Sequence, residues 1–226
     1  MNSGELYDRF RSDVVDEAAP YLWKDDEIWG YMDAAYKQFV RLTVGIADFL
    51  SPVTRVRIIS GNPVSTLDPS ILRIMSAKKA SDNSELTIAN MSDQPFLVSD
   101  DYSILSKLVL DNLPGPVRYM IIGAQRGKAK WVQVPAADDL VQMHVYRTPI
   151  VPVVDENHPL DEVDAEHHEY FLDWMKHRAY LKQDAETFDR EKSNNAEARF
   201  RTYCEQCKRE WERYKHKNRV VVYGGL

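Results

Sequence analysis

Cysteine is scarce in this chain of 226 residues: Cys204 and Cys207 are its only thiols. Two cysteines cannot hold a disulfide-stapled miniprotein together, and such scarcity favours a reducing compartment. Long hydrophobic runs are also missing. No apolar stretch approaches the roughly 20 residues that span a bilayer, so no membrane partner is expected. The opening Met1-Asn2-Ser3-Gly4-Glu5 lacks the basic-then-apolar pattern of a secretory signal. Positive charge is not in excess: 29 Lys and Arg stand against 35 Asp and Glu, a net charge of −6. That balance argues against a general nucleic-acid coat. There is no Walker loop, no G-x-G-x-x-G, no G-x-S-x-G and no HExxH. The phosphate, nucleotide, acyl-transfer and zinc-hydrolase chemistries therefore leave no local signature, and neither a catalytic centre nor a cofactor is expected. The 44% hydrophobic and 28% charged residues describe a globular protein.

The chain opens as helix. Leu6, Phe10 and Val14 recur at i, i+4 and i+8, an apolar stripe on one face. After Pro20, Asp25 is expected to cap a second helix, with Asp26 and Glu27 in a first turn that favours negative charge. Its apolar face carries Ile28, Met32, Ala35, Phe39 and Leu42. Ser51-Pro52 ends this region, and the next hundred residues change period. Val53 to Ser60 alternates apolar and polar, the pattern of a half-buried strand. Ile71 to Ala77, Glu85 to Ala89, Val117 to Ile122, Ala129 to Val134 and Leu140 to Tyr146 are further strand segments between Gly and Pro turns. Asp100 to Asp111 reads as one short helix within them.

Helix is expected to return over Asp161 to Lys182, carrying Trp174, and again from Glu186 to Lys217. On the last helix Phe188, Ala196, Phe200, Tyr203, Cys207, Trp211 and Tyr214 form an apolar seam. Arg219-Val220-Val221-Val222-Tyr223 then follows, a β-prone stretch with no local strand to pair with, which should seek an edge or groove elsewhere. The expected fold class is α+β. An antiparallel helical bundle (1–50 and 151–217) is interrupted by an inserted small antiparallel β domain (51–150), and an extended C-terminal tail follows (218–226). Ile28, Met32, Phe39, Trp174, Phe200, Tyr203 and Trp211 are the expected helix-packing residues.

Two clusters invite a chemical reading. Cys204-Glu205-Gln206-Cys207 is a C-x-x-C, yet a zinc ribbon needs a second ligand pair, and a redox pair belongs at a helix start. Cys207 is expected in the core and Cys204 beside it. Glu166-His167-His168-Glu169, with Asp173 and His177, resembles a metal cluster. Adjacent histidines, however, diverge by about 100° on a helix, and a solvated polar face is expected instead. Seven Lys or Arg against three Glu between Arg201 and Arg219 give a basic face that could meet DNA, an acidic partner or water.

Three pieces carry a resemblance. They are Leu22-Trp23-Lys24-Asp25-Asp26-Glu27-Ile28-Trp29-Gly30-Tyr31-Met32-Asp33-Ala34-Ala35, the run from Trp174 to Asp189, and the ending Arg219 to Gly225. In order and spacing these resemble the head-to-tail adaptor (head completion) proteins of tailed bacteriophages, in particular the tail tubular protein A or nozzle-adaptor type of short-tailed phages. The likeness covers nearly the whole chain, including Val132-Gln133-Val134-Pro135 before the last strand. It implies a homo-oligomeric ring of about twelve copies beneath the portal, joining it to the tail or nozzle protein. Genomic DNA would pass through the channel without sequence-specific binding. It also implies a C-terminal tail, Arg219 to Tyr223, that reaches the portal or a neighbouring subunit. The net negative charge suits a channel that must not hold DNA back.

A helical-repeat interaction protein is a second reading, although no repeat recurs at a fixed period. A metal-dependent enzyme built on Glu169, Asp173 and His177 is a third.

Overall fold

Asn2 starts the first helix. Its side chain accepts from the Glu5 N–H at 2.8 Å, and the Glu5 carboxylate accepts from the Asn2 N–H at 3.2 Å, so two otherwise orphaned donors are satisfied reciprocally. The helix, α1 (Ser3–Asp13), buries Leu6 and Phe10. A computed structural model describes residues 1–90, 114–184 and 186–216. The chain divides into two units: Met1–Ile46 with everything from Thr148 onward, and Ala47–Arg147.

In the first unit α2 spans Asp25–Leu42. Asp25 is its first helical residue rather than its cap. Its carboxylate is taken by the Tyr7 hydroxyl and the Arg11 guanidinium, and Glu27 instead accepts from the Lys24 N–H at 2.9 Å. Ile28, Met32, Ala35 and Phe39 are buried as the helical period requires, joined by Tyr36 and Val40. Gly45, at φ 84, ends the helix by donating its N–H to the Val40 carbonyl at 3.1 Å. This left-handed position suits glycine because it has no Cβ.

The helix expected over Asp161 to Lys182 is shorter than its pattern. A 3-10 turn covers Ala165–Tyr170, and α3 is Phe171–Tyr180. Tertiary bonding decides this: the buried His168 ring lies between the carbonyl oxygens of Met1 and Val163, at 2.7 and 2.8 Å. The last helix, α4, is Arg190–His216. It starts four residues later than the pattern suggested, because Asp189 accepts from the Lys192 N–H at 2.9 Å as a cap. Phe188 therefore precedes the helix and is exposed instead of lying on its apolar face. α3 packs against both α2 and α4. It runs antiparallel to α4, pairing Trp174 with Phe200 and His177 with Ser193.

The second unit is built of strands. These are β1 (Ile46–Asp48), β2 (Arg55–Ile58), β3 (Val64–Thr66), β4 (Ile71–Lys79), β5 (Thr87–Asn90), β6 (Pro114–Gly115), β7 (Tyr119–Ile122), β8 (Lys128–Trp131), β9 (Val134–Pro135) and β10 (Asp139–Arg147). The start of the alternating stretch at Val53 belongs to a 3-10 turn, Pro52–Thr54. In the first sheet β10 lies between β1 and β2 on its path and also pairs with β4. The second has the order β3-β8-β7-β5, and β6 pairs with β9. Trp131, fully buried, donates its indole N–H to Ser65 Oγ at 2.9 Å.

The β region is not purely antiparallel, because β5–β7 and β6–β9 run parallel. The stretch 91–118 between β5 and β7 exceeds the dozen or so residues that a parallel connection requires, whereas the short turn 123–127 between β7 and β8 makes that pair antiparallel. The class is mixed α+β, with four helices and several sheets among the described residues. The helix expected over Asp100 to Asp111 and the tail segment Arg219 to Tyr223 lie outside the described residues.

Candidate assembly surfaces

Most of the expected helix-packing residues face inward. Ile28, Met32, Phe39 and Phe200 are buried in one cluster, with Trp174 and Tyr203 half-buried against it. Phe39 is the hub: its ring centre lies 5.4 Å from Phe171, 5.1 Å from His167 and 6.4 Å from Tyr203. Trp174 meets Phe200 at 5.1 Å. Each such pair adds about 0.5–1.5 kcal/mol beyond the area it buries. These rings pack against one another among α2, α3 and α4 of one chain. Trp211 lies farther along α4 and is half-buried, while Tyr214 beyond it is exposed.

The thiols exchange the places expected of them. Cys204 is the core residue, 1% exposed, and Cys207 is only partly buried. Burial first, and then the neighbouring Cys207, pushes the Cys204 thiol up to about 12. Cys207 is raised as well, chiefly by burial. Its Sγ lies 3.9 Å from His167 Nδ1, and the Tyr203 hydroxyl lies 2.9 Å from the same nitrogen. Thiols held protonated in this way are poor nucleophiles and poor metal ligands.

The carboxylate–histidine group does not assemble as the metal reading needed. Glu169 pairs with Arg9 at 3.2 Å, Asp173 with Arg199 at 2.7 Å, and His177 with the Ser193 hydroxyl at 3.0 Å. Asp164, Glu166 and His167 do bring ligand atoms within 4.8 Å of one another, but both carboxylates are exposed.

A family model described as SU10 adaptor protein matches residues 1–220, across both units. The chain belongs to that family. No curated protein sequence matches it. The adaptor is therefore a bacteriophage head-to-tail adaptor, a virion component that interacts with portal and tail proteins, from a structural and not an enzymatic family. Among its described residues no helix is long and apolar enough to cross a membrane.

Two buried ionic hubs in the adaptor escape a sequence reading. Arg11, 5% exposed, donates to Asp16, Asp25, the Tyr7 hydroxyl and the Trp23 carbonyl. Asp16, itself buried, also accepts from the Leu22 N–H at 2.8 Å and the Trp23 N–H at 3.3 Å. The hub thus ties α1, the connecting loop and the start of α2 into one piece. The only sequence signal is an arginine flanking the Leu6–Phe10 stripe, four residues after Tyr7. In the strand unit, buried Asp48 pairs with buried Arg147. Asp48 also accepts from the N–H groups of Leu50 and Ser51, at 2.9 and 3.1 Å, and from the Ser51 hydroxyl. Asp48 and Arg147 lie 99 residues apart in sequence, and no local pattern could have joined them.

Proposed function

We propose that the adaptor assembles as a ring of about twelve copies under the portal, contacts the tail or nozzle protein on its other side, and leaves a channel for the genome. The observation that carries this is the family match running from residue 1 to residue 220, through the helical and strand-rich parts alike. In this reading the helices of 1–50 and 151–217 act as one antiparallel bundle, the body of the subunit, and 51–150 is an insertion that presents a separate surface. Engagement of the titratable cluster supports a structural role: Arg9, Arg199 and Ser193 already occupy Glu169, Asp173 and His177. The adaptor needs no cofactor, and DNA passes through the ring without sequence-specific contact.

The tail segment Arg219-Val220-Val221-Val222-Tyr223 is assigned to the portal or to a neighbouring subunit. A run of three valines beside a tyrosine favours strand addition to an existing edge. The experiment is co-purification of the adaptor with its portal, with mass measurement of the complex. Wild-type chain is expected to give a multi-copy complex, and deletion of residues 219–226 is expected to abolish it. Full retention of portal binding by the truncated chain would refute the tail assignment. Persistent monomers of wild-type chain in the presence of portal would refute the ring.

A further inference from the structure

Charge is unevenly shared along the adaptor. Residues 47–147 carry 11 Lys and Arg against 10 Asp and Glu, so the rest of the chain carries a net −7, with 18 Lys and Arg against 25 Asp and Glu. Residues 148–175 contain no Lys or Arg, yet eight carboxylates fall between Asp155 and Asp173. Glu169 and Asp173 are occupied by Arg9 and Arg199. Glu156, Asp161, Asp164 and Glu166 are exposed.

The register of β10 determines what the first sheet presents to solvent. Val141, Met143 and Val145 are buried, so Leu140, Gln142, His144 and Tyr146 belong to the opposite face. On that face β2 places Arg57 opposite Leu140 and Arg55 opposite Gln142. From the other side β4 places Lys78 opposite Gln142 and Arg73 opposite Tyr146. All four cations are exposed. Glu85 approaches Lys78 at 3.3 Å, and Arg55 donates to Gln142 Oε1 at 3.3 Å. Among the described residues no carboxylate forms an ion pair with Arg55, Arg57 or Arg73. Phe49, 58% exposed, sits edge-on to His144 at 6.0 Å. Beside it is a hollow of about 300 Å³ that Lys78, Gln142 and His144 also line.

Like charges gathered on one sheet face repel, so the isolated subunit bears a cost that an acidic partner removes. We propose that this face docks the acidic stretch Asp155–Glu166 of a second copy, with Phe49 as its aromatic anchor. The cations and the carboxylates then meet across a heterologous contact. Two different patches of one chain that recognise each other build a ring or a filament rather than a two-fold dimer. The proposal rests on the reading that copies assemble side by side, and it supplies the chemistry of that assembly. Arginine forks fit carboxylates in bidentate fashion, and a desolvated aromatic beside them is a typical anchor.

The test is sedimentation velocity of the full chain without portal, at low and high salt. Concentration-dependent assembly is expected at low salt, weakened ~10-fold or more at high salt. The triple variant R55E/R57E/R73E and the triple variant D161K/D164K/E166K should each lose self-association, by ~10-fold or more. Mixing the two variants should restore association between them, which a misfolded variant could not do. Wild-type chain that stays monomeric at every concentration would overturn the proposal, as would variants that assemble unchanged. So would loss of duplex-DNA binding in R55E/R57E/R73E with self-association intact, which would assign the face to nucleic acid. If portal gathers both triple variants as well as it gathers wild type, the contact fails while the adaptor reading stands. If portal fails to bind wild-type chain, the adaptor reading fails on its own account.

Discussion

Removing the Asp48 carboxylate should destabilise the strand-rich unit by an amount its contacts allow us to estimate. Asp48 is 7% exposed and its partner Arg147 equally buried. Burial alone would raise its pKa. The Ser51 hydroxyl, the Arg147 guanidinium and the N–H groups of Ser51 and Leu50 more than reverse this, holding the carboxyl well below the usual carboxylate range. Asp48→Asn keeps an acceptor for the two N–H groups but loses the charge, at about 1.5–3 kcal/mol. Asp48→Ala removes both the charge and the acceptor oxygens from beside the buried arginine, at about 3–5 kcal/mol. For a unit of about a hundred residues each kcal/mol shifts Tm by roughly 4–8 °C. Calorimetry should therefore show the alanine variant melting well over 10 °C lower, with lost amide-exchange protection in β1 and β10 and little change in α2. The pH dependence has a definite sign. A depressed folded-state pKa contributes stability that is complete above the unfolded value of about 4 and is lost as pH falls through the folded value. Wild-type chain should therefore lose stability with acid more steeply than Asp48→Asn below about pH 4. Equal Tm values for all three proteins at neutral pH, or parallel acid limbs, would refute the reasoning.

Two further outcomes test the helical unit. Arg11→Met should cost about 3–5 kcal/mol in denaturant unfolding, because Asp16 stays buried after losing its counter-charge; adding Asp16→Asn should recover part of that cost, and additive losses would show that the pair is not coupled. A disulfide-exchange reagent should leave Cys204 unmodified in the native protein and react with it only on unfolding, given its burial and a thiol pushed up to about 12; rapid native modification of Cys204 in a Cys207→Ser background would contradict the packing of α4.

What the sequence makes legible follows from how local each cause is. The stripes Leu6–Phe10 and Ile28–Met32–Phe39 are one-helix properties, and the period alone places them inward. The alternation in Arg55–Ile58 and Leu140–Tyr146 is likewise local and marks β2 and β10. The thiols show where locality ends. Cys204 and Cys207 both lie close to the direction of Phe200 on a helical wheel, so angle does not separate them. Length does: α3 has ten residues, about 15 Å, against about 40 Å for the 27 residues of α4. Because the two run antiparallel, α4 passes the start of α3 near Tyr203, which stacks on Tyr170. Cys207 meets the 3-10 turn at His167 instead of the length of α3, and is less covered. The parallel pairing of β5 with β7 and the two ionic hubs depend on distant segments. The family relationship was legible because the helix faces and the ending occur in a fixed order, a pattern spread over the whole chain.

The hubs also explain how a chain held by oily stripes keeps one geometry. Hydrophobic burial is strong but non-directional, and ridges on Leu, Ile and Phe faces tolerate sliding at modest cost. A guanidinium with its donors aimed at Asp16, Asp25, Tyr7 and the Trp23 carbonyl has few satisfactory arrangements. Sliding α1 along α2 would strand buried charge, at a cost of several kcal/mol. The same holds where Asp48 and Arg147 join the first strand of the β unit to the end of its last. Both hubs sit where the chain changes direction, and both are internal to one unit. Arg55, Arg57 and Arg73 on the β2–β10–β4 face, and the carboxylates Glu156, Asp161 and Asp164, lie exposed and outside both hubs.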